Sequence, residues 1–543
     1  MIRQLILIPV LTCVYFTGIK ACTNFLITKG ATIDGSSMIS YSADLHTLYG
    51  ELYYWPAKKY SKSDSIAIYE LEIGNYLGKI PQVEVTYQVV GNMNEFQVAI
   101  GETTFTGREE LQDTLGIVDY GNLMYITLQR AKTAREAIQV MTKLISEYGY
   151  NSTGESFSIS DPDEVWIMEM IGKGPGNKGA VWVAQRIPDG YISGHANQSR
   201  ITTFPKNDPE NCLYAPDVIT FAREKGYFSG KDKDFSFVDA YAPLNFDDAR
   251  FCESRVWAGF RRVNNDMDQY QDYAMGFNLK NRFPLWIKPD RKLSIKDVME
   301  LMRDYFQGTP MDLTKDFGAG PYGCIVRWRP LTWEFEGKTY FNERATSTQQ
   351  TGFSFVAQSR NWLPYPIGGI LWFGVDDTYS TVYTPMYCGI TTIPTQFAVG
   401  NGSMMEFSDS SAFWLFNQVS NFAYTRYSDM IPFIREKQAV LEDLYIQKVE
   451  KTDSIAQRLF LSEKKEALAY ITNFSVSAGN TTFQEWEKLY RFLFTRFMDG
   501  NIKTSIPGES VPELEQPGYG ENWYRRIVTE TGDKFLYHGE PSH

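Results

Sequence analysis

Residues 22–44 read CTNFLITKGATIDGSSMISYSAD. β-Branched and apolar residues fill 22–28 and 37–41, the composition of strands. Gly30 and the Asp34-Gly35 pair between them are turn signals. The segment is therefore predicted to be an antiparallel hairpin. If Thr28 pairs near Ser37, Cys22 falls opposite Ala43 and Asp44. A carboxylate then lies beside a cysteine at the open end of the hairpin.

What precedes Cys22 gives that cysteine its interest. Arg3 supplies a short positive region, residues 5–19 are almost uniformly apolar, and Ala21 is a small residue suited to the position before a cleavage. Such a stretch is too short for an ordinary transmembrane helix and reads as a secretory signal peptide, 1–21. Export to the periplasm or the extracellular side is the expectation. Removal of the leader would make Cys22 the first residue. Ile19-Lys20-Ala21-Cys22 also loosely resembles a lipobox, in which the cysteine is acylated as an anchor, although Lys20 fits that motif poorly.

A thiol attacks well only after losing its proton. A free α-amino group, with a pKa of about 7.7–8.0, is partly neutral near pH 8. An N-terminal cysteine thus carries its own nucleophile and its own base, and Asp44 is placed to hold the amine. The same local sequence fits a buried thiol, or a disulfide partner, next to an ordinary strand-end carboxylate.

The wider sequence weighs on this choice. The segment CTNFLITKGATIDGSSMIS resembles the opening of the N-terminal-nucleophile cysteine dipeptidases, a group that includes the secernins. The likeness continues in order through MNEFQVAIGETTF (93–105), GESFSISDPDEVWIMEM (154–170), VWVAQRIPDGYISGHANQSRI (181–201) and ESRVWAGF (253–260). It extends through RNWLPYPIGGILWFGVDDTYSTVYTPMYCG (360–389) and SSAFWLFNQVSNFAYTRY (410–427), so that it covers roughly 22–500. The resemblance implies an α+β protein with a four-layer αββα sandwich that hydrolyses amide bonds of dipeptides or short peptides without a cofactor or metal. It is similar more distantly to penicillin V acylases and bile salt hydrolases, so an acyl amidase is the alternative activity. Carried over by position, Cys22 is the implied nucleophile, Asp44 the carboxylate near its amine, Asn197 the oxyanion-stabilising amide and Arg255 the arginine that steadies the nucleophile. Thr104 falls where a main-chain N–H completes the oxyanion hole. In one place the pattern departs. Tyr41 in Ser40-Tyr41-Ser42-Ala43-Asp44 stands where related sequences carry an arginine in a motif resembling ARNDD, and a neutral phenol cannot lower a thiol pKa as a cation does.

Further along, 154–159, 165–170 and 180–187 read as strands separated by Asp161-Pro162-Asp163 and Pro188-Asp189-Gly190 turns. Between them and the hairpin, Ala134, Ile138, Met141, Ile145 and Tyr148 recur at helical spacing and predict a packing helix. Asn197 follows a strand, where its amide can face a site; a turn asparagine is the plainer reading. Glu155, Tyr41 and His195 are candidates to line the substrate site, Glu155 toward a substrate amine or as a structural carboxylate. The expected organisation is a catalytic unit over 22–405, a helical extension packed on it over 406–500, and a Pro/Gly-rich tail without periodicity over 501–543.

Composition excludes several classes. With 43% hydrophobic and 15% aromatic residues, the 543-residue chain can bury a large core and is not disordered. A net charge of −12 argues against a sequence-independent nucleic-acid binder. No stretch after the leader is long and apolar enough to span a bilayer. With four histidines and no HExxH, a zinc protease of that type is disfavoured, and no GxSxG elbow or Walker A loop occurs. His195 is the one histidine considered for a cysteine–histidine dyad. No CxxC pair occurs among Cys212, Cys252, Cys324 and Cys388; export would permit a Cys212–Cys252 disulfide, while free buried thiols are the simpler reading. The remaining non-enzymatic alternative is a lipid-anchored binding protein acylated at Cys22. A homo-oligomer is compatible with the sequence.

Overall fold

Strands Asn24–Ile27 and Ser37–Asp44 form the hairpin at the centre of the molecule. Leu26 pairs with Ile39, Ile27 with Met38, and an isolated bridge joins Thr23 to Ser42. That register sets Cys22 against Ala43, in the Ala43–Asp44 region expected from pairing Thr28 near Ser37. Phe25, Leu26 and Ile27 are fully buried, and each such side chain contributes about 1.5–3 kcal/mol when removed from water. A register slip of one residue would exchange the two faces of the strand, so burial locks the position of Cys22. This computed structural model describes residues 22–71, 74–113, 115–328 and 330–539. The predicted leader, 1–21, lies outside the described residues.

The hairpin is central to a seven-stranded antiparallel sheet. Its strand order is Trp286–Ile287, Ile192–His195, Asn24–Ile27, Ser37–Asp44, Thr351–Ser359, Ile370–Val375 and Thr384–Tyr387. An eight-stranded antiparallel sheet faces it, running from Cys212–Tyr214 through Ala180–Arg186, Val165–Gly172, Gly154–Ser160 and Ala99–Phe105 to Met93–Asn94, Val89–Val90 and Tyr54–Trp55. The sheets meet through the hairpin and the strands at 99–105, 154–160 and 165–172. Gly101 permits that approach. A Cβ there would come within 3.1 Å of Asn24 Oδ1 and 3.2 Å of Tyr41 Cβ, tighter than ordinary packing.

Helices cover the outer faces. Ala134–Tyr148 forms where the spacing predicts it. The Thr133 side chain caps it by accepting from the Glu136 N–H, and Gly149 ends it at φ 77°. With Tyr120–Leu128 it packs on the eight-stranded sheet, burying Ile138, Met141 and Ile145 against Phe157, Trp166 and Met168. On the other side, Ala412–Tyr424, Tyr427–Ser462 and Lys464–Phe497 lie on the seven-stranded sheet and share its core. Trp486 is fully buried there and stacks on Phe416 at 4.6 Å between centroids. The chain is thus an α+β protein. Among the described residues no helix is long and apolar enough to cross a membrane.

In the tail a short hairpin, Ile502–Thr504 with Glu513–Glu515, precedes helix Glu521–Thr531. Prolines and glycines around that helix obscure an eleven-residue stretch free of both. The four cysteines Cys212, Cys252, Cys324 and Cys388 are free thiols, so Cys212 and Cys252 do not pair.

Candidate active site

The hairpin's open end forms one wall of a cavity of about 110 Å³. Cys22, Tyr41, Ala43 and Asp44 come from the hairpin, Glu102 and Thr104 from strand Ala99–Phe105, and Tyr120, Met124 and Tyr125 from helix Tyr120–Leu128. Leu45, Leu48, Leu71, Tyr53 and Phe353, with Thr47, complete a mostly apolar and aromatic lining. The strand start delivers Cys22, and the turn of helix closes the opposite side.

Both ends of Cys22 are held. Its main-chain N–H donates to Asn197 Oδ1 at 2.8 Å. Its carbonyl accepts from Arg255 Nη1 at 2.7 Å, and the same nitrogen donates to Thr23 Oγ1 at 2.9 Å. Arg255 Nη2 donates to Asn197 Oδ1 at 2.9 Å and to the Ala196 carbonyl at 3.2 Å, while Nε donates to the Phe251 carbonyl. The guanidinium is fully buried and every face of its fork has an acceptor. A π-helical turn, Asp248–Glu253, running into helix Ser254–Arg261 aims it inward; such turns often mark functional positions.

Asn197 is strained as well as central. Its φ is 59°, in the left-handed region, which asparagine tolerates better than most residues. Its Nδ2 donates to the Thr104 carbonyl at 2.7 Å. An amide nitrogen carries two hydrogens, so one remains for another acceptor.

The sulfur is in acidic company. Sγ lies 3.8 Å from Glu102 Oε1 and 3.9 Å from the Tyr41 hydroxyl, and Tyr41 donates to Glu102 Oε1 at 2.6 Å. The main-chain N–H of Asp44 donates toward the sulfur, a small opposing effect. Burial first, then the charges of Glu102 and Asp44, push the Cys22 thiol well above its ordinary range. No cation offsets them at position 41. Cys22 therefore rests as a thiol, and any attack by its sulfur would need a base to take the proton.

The Asp44 carboxyl is fully buried, and its oxygens accept from Thr351 Oγ1 (2.7 Å) and Ser42 Oγ (3.1 Å). Burial raises its pKa to about 7, against the opposing pull of Thr351, Arg255 and Arg344. The Cys22 nitrogen, here a peptide N–H, donates to Asn197, and Asp44 acts on Cys22 through its charge and its own main-chain N–H.

Cys22, Tyr41, Asp44 and Thr104 meet at the cavity, and Asn197 and Arg255 sit directly behind Cys22. His195 and Glu155 do not line it. His195 is fully buried, its Nδ1 2.7 Å from Thr103 Oγ1 and its Nε2 2.8 Å from Ser158 Oγ. Burial depresses its pKa to about 3, so it is a neutral core group and no partner of the thiol. Glu155 is also fully buried and accepts from Thr104 Oγ1 at 3.2 Å. The residue that sequence reasoning missed is Glu102. Its signal was a lone carboxylate inside the strand AIGETTF, in a motif quoted for Thr104 alone.

A protein with this buried cysteine, clamped at both ends beside a carboxylate-lined cavity, has the makings of a thiol hydrolase. The model of peptidase family C69 matches residues 53–439, and the chain belongs to that family. The match opens after the hairpin, so the role of Cys22 rests on geometry. The chain is 23% identical over 480 residues to a probable dipeptidase of Latilactobacillus sakei, covering 84% of this chain and 90% of that protein. It is 24% identical over 395 residues to a probable dipeptidase of Salmonella dublin (68% and 81%). A dipeptidase of Bifidobacterium longum is 22% identical over 541 residues (92% and 91%). Family and relatives together mark the chain as a peptidase.

Proposed function

We propose that this peptidase is a cysteine dipeptidase of the N-terminal-nucleophile type, built on a four-layer αββα sandwich and exported with loss of residues 1–21. The observation that carries the reading is the double clamp on Cys22. Asn197 holds its nitrogen and Arg255 its carbonyl, leaving Sγ at the cavity wall. Buried main-chain groups need partners at any residue; here both partners are side chains, and they are bonded to each other.

In the processed enzyme the α-amine of Cys22 accepts the thiol proton as sulfur attacks the substrate carbonyl. A C–S bond forms and the carbonyl oxygen gains negative charge. The remaining hydrogen of Asn197 Nδ2 and the main chain at Thr104 stabilise that oxyanion, a contribution of about 10²–10³ per donor in other hydrolases. Collapse breaks the C–N bond, and the protonated amine delivers its proton to the leaving nitrogen. Water, losing a proton to the same amine, then hydrolyses the thioester. Asp44, ionised above neutrality, balances the positive charge that the amine carries between these steps.

The test joins two measurements on the exported protein. N-terminal sequencing with intact mass is expected to give a free Cys22, and Cys22→Ala is expected to fold normally and lose dipeptide hydrolysis altogether. A start elsewhere, a diacylglycerol on Cys22, or turnover by the alanine variant would overturn the reading. Faster cleavage of penicillin V or glycine-conjugated bile acids than of dipeptides would assign the amidase activity instead.

A further inference from the structure

One carboxylate oxygen in the cavity has nothing to bind. Glu102 is 2% exposed, and its Oε1 accepts from Tyr41. Its Oε2 has no hydrogen-bond partner among the described residues, and no lysine or arginine forms an ion pair with it there. The other cavity carboxylate, Asp44, has both oxygens engaged. The nitrogen of Cys22 is directed at Asn197. A buried oxygen without a partner is costly, and this one lies in a wall otherwise formed by Tyr53, Tyr120, Tyr125 and Met124. Such a group fits a cationic ligand.

The geometry favours a substrate ammonium. Glu102 Oε1 lies 3.8 Å from Sγ, and the free Oε2 belongs to the same carboxylate. In an aminoacyl residue the α-nitrogen and carbonyl carbon lie about 2.5 Å apart, from standard bond lengths and angle. A carbonyl poised for attack sits about 3–3.5 Å from the nucleophile, and an ammonium–carboxylate hydrogen bond spans about 2.7–2.9 Å. An α-ammonium held by Oε2 leaves its own carbonyl within reach of the sulfur.

We infer that Glu102 is the specificity residue that binds the free α-ammonium of the substrate's first residue, confining cleavage to the bond after an unblocked N-terminal amino acid. This rests on Cys22 being the nucleophile. Tyr41 fixes the carboxylate without neutralising it, which leaves its charge for the substrate. N-Acylated peptides lose the cation and add bulk where Glu102 stands. Glu155, the glutamate first considered for an amine, does not line the cavity.

The experiment compares L-alanyl-L-alanine with propionyl-L-alanine, which lacks only the amine, and with N-acetyl-L-alanyl-L-alanine. The wild-type enzyme is expected to prefer the free dipeptide in kcat/KM by at least about 10²-fold. In Glu102→Gln, an isosteric change, that preference should collapse. The dipeptide should lose on the order of 10²–10³-fold in kcat/KM relative to propionyl-L-alanine assayed in the same variant, a ratio in which the effect of the lost charge on the sulfur cancels. An equal fall for both, or no fall for either, would overturn the inference. Should the variant not fold, the wild-type ratio decides: dipeptide and des-amino analogue within tenfold of each other refutes ammonium recognition. Activity in Cys22→Ala would instead remove the nucleophile reading, so the two failures are distinguishable.

Discussion

Replacing Asp44 by asparagine separates the cost of that carboxylate from its use. In the folded chain its pKa stands at about 7 against an ordinary 3.8, with burial the cause. A folded value above the unfolded one means that the protonated form is favoured by folding. The stability so gained is complete below pH 3.8, declines as pH rises, and is gone above about 7. At 1.36 kcal/mol per tenfold change in proton affinity, the full swing is about 4 kcal/mol. Roughly 2.5 kcal/mol of it falls between pH 5 and 8.5. Asparagine does not titrate. Its constant effects on Thr351 and Ser42 cancel when one variant is compared at two pH values. Asp44→Asn should therefore gain about 2.5 kcal/mol on the wild type between pH 5 and 8.5, read from urea unfolding midpoints. The effect is expected in chains with a peptide bond before Cys22. In the processed enzyme the terminal ammonium offsets the carboxylate, and the gain should shrink. Dipeptide turnover in the processed variant should drop at least tenfold even where the fold is firmer, the pattern of a group kept for function at a cost in stability. A wild-type minus variant difference that is flat from pH 5 to 8.5 in the unprocessed chain would refute the electrostatic account of Asp44. Unchanged turnover would take it out of the mechanism.

Substitutions at two further residues probe the clamp. Asn197→Ala should lower kcat about 10²–10³-fold with KM little changed, because the amide acts on charge developed after binding; an equal rise in KM would recast it as a binding group. Arg255→Met strips five hydrogen bonds from buried acceptors, of which Asn197 Oδ1 keeps the Cys22 N–H, and should cost at least about 4 kcal/mol in urea unfolding, given the penalty of about 1–3 kcal/mol for each of the other four left unsatisfied. Arg255→Lys should recover little of it, since a single ammonium cannot span the fork; full rescue by lysine would mean that charge alone is what the site needs.

The parts of this molecule that were legible beforehand are those written in local patterns. β-Branched and apolar composition and the Asp34-Gly35 turn specify the hairpin, and pairing Thr28 near Ser37 sets Cys22 opposite Ala43, all from residues within 23 positions of one another. Helix Ala134–Tyr148 is likewise a matter of apolar spacing and a threonine cap. What failed was inference from adjacency. His195 and Asn197 stand two apart, and in a continuing strand they would share a face. The strand ends at His195, however, and the left-handed turn at Asn197 sends the amide to Cys22 while the imidazole stays between Thr103 and Ser158.

Glu102 exposes the deeper limit. Within AIGETTF nothing local separates a carboxylate that faces water from one that faces a nucleophile. The difference arises because Gly101 lets the second sheet approach the hairpin, bringing Glu102 against Tyr41, 61 positions away. The substitution noticed at position 41 and the carboxylate overlooked at 102 are two halves of one arrangement. An arginine at 41 would neutralise Glu102 and favour the thiolate. The phenol does neither. With no cation among the described residues that line it, this cavity keeps its cysteine protonated and one carboxylate oxygen unspent, a combination that makes sense if the positive charge arrives with the substrate and the base with the processed N-terminus.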